Sequence, residues 1–244
     1  MTRRTGWKWL VPVVTAAAAV SGCAAAPTRL DKVVPVSVTA EQATAVSAPT
    51  PDTDSAILAA ARQYVFRVRN DSCLATGTAF AADGKLVTNR HVGAGATSVD
   101  LATWDGQDFT GQVSVHADNA DLALLDGVPP DYVYGTLAAT DPVKGTPVWV
   151  AGYPLGDQLT VTSGKILGQI SGAVFGLGTS VLEISDPIQH GNPGSPLLNS
   201  SGQVVGVVFA IDTQNHDGLA VPVSALMSLL TSGDGDSSPL PCAD

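Results

Sequence analysis

The order of apolar and polar positions divides this chain into three stretches. Trp9 to Val20 is a nearly continuous run of apolar and small residues behind Arg3, Arg4 and Lys8. It is too short to cross a bilayer core of ~30 Å as a stable anchor. Residues 24–53 follow no period, with Pro27, Pro35, Pro49 and Pro51 scattered among Ala, Thr, Ser and Val. Such a composition predicts an extended tether. Asp54 to Arg62 predicts a short helix opening at Asp54 or Ser55. From Tyr64 the pattern turns to strands. Val65-Phe66-Arg67-Val68-Arg69 alternates as a half-buried strand does, and Val148 to Ala151 and Val204 to Phe209 are continuous apolar strands. Asp83-Gly84 between Thr78-Ala79-Phe80 and Lys85-Leu86-Val87-Thr88 is a hairpin signal, and Asp105-Gly106 and Ser201-Gly202 punctuate the chain similarly. No helical period is sustained between 63 and 222, and Ser224 to Leu230 predicts a short C-terminal helix. Residues 54–244 therefore read as an all-β domain in two layers or two barrels.

Composition narrows the function. Of 244 residues, 45% are hydrophobic and 14% charged, which excludes a wholly disordered chain. Lys and Arg number 12 against 22 Asp and Glu, a formal charge of −10. Removing a leader that holds Arg3, Arg4 and Lys8 lowers it by three more. No basic stripe interrupts this surface, so nucleic acid is excluded as a partner.

Residues 1–23 have the positive n-region and apolar h-region of an export signal. The signal ends in Val20-Ser21-Gly22-Cys23, which resembles the bacterial lipobox, whose cysteine is acylated and becomes the first mature residue. An ordinary secretory signal with a chance cysteine is the alternative. Lipidation would hold the chain on the outer face of the cytoplasmic membrane. It also leaves Cys73 and Cys242 as an even pair in an oxidising compartment, which predicts a bridge. Closing a loop of about 170 residues contributes roughly 4–5 kcal/mol in the chain-entropy model. Two free thiols are the alternative. No Cys/His cluster has metal-ligand spacing, and no cofactor is expected.

Three segments carry candidate chemistry, in the order His, Asp, Gly-rich turn: Leu86 to Val92 around His91, Ala120 to Leu125 around Asp121, and Gly191 to Asn199. A histidine base oriented by a carboxylate, with a nucleophile on a tight turn whose amides face the oxyanion, performs acyl transfer. His116, His190 and His216 have no assigned role and read as surface or turn residues.

Here the chain resembles the chymotrypsin-fold serine peptidases, in the bacterial branch holding the HtrA/Deg and glutamyl-endopeptidase families. "TNRHV" is similar to that branch's T-N-x-H-V and "DLALL" to its D-L-A-L-L, which implies His91 as general base and Asp121 as orienting carboxylate. Ala151 to Gly156 and Thr160 to Gly164 resemble the strands opening a second barrel, and Gly218 to Val223 resembles G-F-A-I-P-V near the domain's end. The resemblance runs from about Val65 to Leu226, and no PDZ domain is expected after it. It implies a double six-stranded β-barrel with a short C-terminal helix, and a peptide or protein as substrate or ligand.

One position departs. The family turn is G-N-S-G-G/S-P with its nucleophile third, and this chain has Pro193 there. Proline has neither a hydroxyl to attack with nor an N–H, and the nucleophile's amide is one of the two donors the family aims at the oxyanion, beside Gly191. Losing one such donor typically costs ~10²–10³ in rate. Pro193 also biases Asn192 towards extended angles, which predicts some disturbance of the Gly191 amide. Ser195 lies two residues on, ~6–7 Å along an extended segment, against the ~2.6–3.2 Å that proton transfer to His91 requires. Two function classes follow: a peptide-binding pseudoprotease, or a working serine endopeptidase that recruits Ser195 or carries Pro193 as a variant of an active serine.

Overall fold

The computed structural model describes residues 51–185, 190–233, 235–238 and 241–242. The leader, Cys23 and residues 24–50 of the tether expected over 24–53 lie outside the described residues; its last three residues, 51–53, belong to a helix instead. Helix α1 (Pro51–Ala61) begins three residues before its expected start. Proline is suited to that place, because a helix leaves its first N–H groups unpaired and proline has none to leave. Trp149 Nε1 donates to Asp54 Oδ1 at 2.7 Å and holds the helix against the second half of the domain.

Twelve strands close into two six-stranded antiparallel barrels, as expected. The first comprises β1 (Val65–Asn70), β2 (Ala75–Ala82), β3 (Lys85–Asn89), β4 (Ser98–Ala102), β5 (Asp108–Ala117) and β6 (Leu122–Asp126), in the order β1-β2-β3-β6-β5-β4. The second comprises β7 (Pro147–Gly152), β8 (Thr160–Ser171), β9 (Ser180–Ile184), β10 (Pro196–Leu198), β11 (Val204–Ile211) and β12 (Gly218–Pro222), in the order β10-β11-β12-β9-β8-β7. Asp83 and Gly84 have φ of 46° and 80°, and Ala82 pairs with Lys85, so this is the two-residue hairpin expected. Phe66, Leu86, Leu101 and Leu125 share the inner face of the first barrel, and Ile166, Leu182, Ile184 and Leu197 cluster in the second; all are fully buried. Each contributes on the order of 1.5–3 kcal/mol relative to exposure. A single helical turn, α2 (Arg90–Gly93), interrupts the first barrel after β3, and α3 (Val223–Ser232) follows β12.

Beyond α3 the chain returns to the first barrel. His116 and Asp236 exchange backbone hydrogen bonds, each at 2.9 Å. The expectation of a surface or turn position for His116 is corrected: it lies on β5 and is only 2% exposed. The returning segment covers it, with its ring against Asp118 Oδ1 and Ser238 O, each at 3.0 Å. His190 and His216 are exposed turn residues as expected. The strap ends at Cys242, bonded to Cys73 with Cα atoms 5.4 Å apart. This disulfide packs on Gly95, where an added Cβ would collide with Cys73 Sγ and lie 2.9 Å from Cys242 Sγ.

Candidate active site

β3 and β6 are paired, with Asn89 opposite Leu122, so the residues that follow one strand meet those that precede the other. His91 stands on α2 just past β3, and Asp121 just before β6. His91 Nδ1 lies 2.7 Å from Asp121 Oδ2, and His91 N donates to Asp121 Oδ1 at 3.1 Å. The carbonyl of Asp121 accepts from Arg90 N at 3.1 Å and from Asn89 Nδ2 at 3.0 Å. Asp121 holds this grip with φ of +48°, in the left-handed region uncommon for a non-glycine residue. Its carboxylate is nearly buried and fully engaged, which removes the penalty of an unpaired buried charge. The His91 side chain is 35% exposed. With Nδ1 facing Asp121, Nε2 is the ring nitrogen left to meet a ligand.

The turn 191–195 lies where β2 of the first barrel faces the second. Thr78, buried on β2, is its seat. Thr78 N donates to Pro193 O at 2.8 Å, and Thr78 Oγ1 donates to Gly191 O at 2.9 Å. The same hydroxyl accepts from Tyr153 N at 3.1 Å, while Thr88 Oγ1 donates to Thr78 O at 2.7 Å. Gly194 N donates to Val208 O at 2.8 Å, and Ser195 N to Asn192 O at 2.9 Å. Gly194 has φ of +88° and lies so close to Thr78 O that any side chain there would collide with it. The Gly191 carbonyl is bound to Thr78, and the residue has φ of +93°.

Pro193 and the histidine segment share a neighbour. A Cβ placed on Gly77 would lie 2.9 Å from Pro193 O and 2.9 Å from both γ-carbons of Val92, the residue after His91. Ser195 is placed elsewhere. It is fully buried, and its Oγ abuts Gly152 and has no hydrogen-bond partner among the described residues, His91 included. Burial pushes the Tyr153 phenol above the ordinary tyrosine range, with Arg67 opposing that shift, so the ring beside the turn stays neutral. The sequence reading missed Thr78 and Thr88. Nothing marks them in the sequence, since β2 also holds Thr76 and β3 is bounded by Lys85 and Asn89.

A family model described as the trypsin-like peptidase domain matches residues 75–207, more than half of the chain. Protease Do-like 2 from the chloroplast of Arabidopsis thaliana is 32% identical over 173 residues, covering 64% of this chain and 28% of that protein. A probable periplasmic serine endoprotease DegP-like from Chlamydia trachomatis is 30% identical over 172 residues, covering 66% of this chain and 33% of that one. The chain thus spans about a third or less of these relatives' length. Among solved structures, the active form of the Rv3671c protease from M. tuberculosis superposes with a TM-score of 0.70 at 26% identity, over 81% of this chain and 94% of that one.

Proposed function

The chain belongs to the trypsin-like peptidase family, and on that premise we propose a catalytically impaired member that binds peptides between its two barrels. His91 takes the place of the general base and Asp121 that of its orienting carboxylate. Pro193 takes the place of the nucleophile. The observation that carries this reading is Thr78 N on Pro193 O: proline is seated in the turn by its carbonyl, against the same Gly77 that Val92, the residue after His91, abuts. With no hydroxyl there, His91 has no proton to remove, and with no N–H the oxyanion loses one donor.

The competing reading is a working serine endopeptidase. Ser195 gives it little support, since a nucleophile must face both substrate and base and this hydroxyl is buried against Gly152. A fluorophosphonate probe separates the two. The unmodified protein is expected to label no faster than His91→Ala, and Pro193→Ser is expected to gain labelling by at least about 10²-fold, since it returns hydroxyl and amide together. Labelling of the unmodified protein at Ser195 would establish the working peptidase instead.

Export and anchoring belong to the same proposal. The Chlamydia relative is named periplasmic, and Val20-Ser21-Gly22-Cys23 supports acylation at Cys23. Cys23→Ser is expected to abolish metabolic lipid labelling and release the protein from membranes; unchanged membrane retention would sink this part.

A further inference from the structure

In the residues before Pro193, two successive backbone carbonyls are tied back into the protein. Leu155 N donates to His190 O, and Thr78 Oγ1 donates to Gly191 O at 2.9 Å. Each carbonyl shares a planar trans peptide unit with the next residue's N–H, which therefore points the opposite way. Gly191 N–H and Asn192 N–H are thus both turned away from the groups that hold their carbonyls. Neither donates to an acceptor among the described residues. Both residues are buried, Asn192 being 4% exposed. A buried N–H without a partner is rare in folded proteins and calls for a ligand or a water. Two in succession, fixed from behind, offer an anion two backbone donors.

We infer that this pair binds a carboxylate, and that the carboxylate is the C-terminus of a peptide lying in the cleft. The inference rests on the impaired-site reading and extends it to the ligand. In a chain with Pro193, no tetrahedral adduct forms, so an alkoxide never develops opposite these amides. A neutral internal carbonyl offers them one weak acceptor. A terminal carboxylate offers two charged oxygens, and hydrogen bonds to a charged acceptor are shorter and about twice as strong. Capture of a chain terminus by backbone amides is an established mode of peptide recognition. Thr78 acts as a positioning residue, because its hydroxyl fixes the plane of the peptide unit that presents Asn192 N–H.

The test is a titration of the ¹⁵N-labelled full-length protein with three series of N-acetylated tripeptides: free acids of the type acetyl-Ala-Ala-Xaa, the same peptides as carboxamides, and carboxamides carrying Asp or Glu. The expected result is a saturable shift of the Gly191 and Asn192 amide resonances with the free acids, which bind at least about tenfold tighter than the carboxamides. Thr78→Val should remove most of that preference, whereas Thr78→Ser, which keeps the hydroxyl, should retain it. Equal behaviour of acids and carboxamides, no shift at either amide, or a preference that survives Thr78→Val would overturn the proposal. Binding of the Asp or Glu carboxamides in place of the free acids would overturn the assignment to a chain terminus. Fluorophosphonate labelling of the same unmodified sample would instead overturn the impaired-site reading beneath it.

Discussion

Asp121, in the first barrel, engages residues 89–91 through both carboxylate oxygens and its own carbonyl, and the His91 ring is held by that grip. The turn at 191–195, in the second barrel, is tied just as thoroughly, but differently. Its bonds run through the carbonyls of Gly191 and Pro193 and the amides of Gly194 and Ser195. None uses a side chain or an N–H at position 193. In the proposed reading, the groups that build the site on the first-barrel side are also the groups that act. On the second-barrel side scaffold and chemistry are then separate: proline supplies neither hydroxyl nor amide, and every tie of the turn is in place.

The largest effect that tests this contrast is in rate. In a Pro193→Ser protein, Asp121→Asn is expected to lower fluorophosphonate labelling by on the order of 10⁴, while in the unmodified protein the same change leaves labelling at its baseline. A small loss in the serine background would show that the first-barrel grip is not a catalytic one. Next comes support of the first-barrel wall. Cys242→Ser should destabilise the protein by about 2–5 kcal/mol in denaturant titrations. Hydrogen exchange should lose protection first around Gly95, on which the disulfide packs, and not at 191–195. Simultaneous loss at both would mean that the two walls are one cooperative unit. Smaller still is the stability change on Pro193→Ser, expected within about 1 kcal/mol, since the carbonyl that Thr78 binds is retained. A larger loss would show that the proline ring itself supports the turn. The smallest is Ser195→Ala. Removing a buried hydroxyl that has no partner should alter stability by no more than about 0.5 kcal/mol, and should leave labelling of the Pro193→Ser protein unchanged.

What could be read from the chain beforehand was local. Asp83-Gly84 declares its hairpin in two residues, and the segments around His91 and Asp121 each announce themselves within five or six. The closed barrels followed from the family resemblance, since alternation and turn signals alone left two layers or two barrels open. What stayed hidden depends on partners far along the sequence. Thr78 acquires its role from Tyr153, Gly191 and Pro193, and nothing in Thr76-Gly77-Thr78 points to them. His116 reads as a surface residue because the strap that covers it arrives through Asp236 and Ser238, from the other end of the domain. The start of α1 at Pro51 was missed because proline marks both a tether and the first turn of a helix.

The strap has a consequence for resistance to proteolysis. Cys73 and Cys242 are 169 residues apart, so their bond closes a covalent ring around nearly all of both barrels. Thr78, His91, Asp121 and the whole of the turn at 191–195 lie within that ring. A single cut by a foreign protease in any loop between the two cysteines opens the ring without releasing a fragment. Both pieces stay in one molecule, where the barrel strands can hold their places at an effective concentration that no freely diffusing fragment would have.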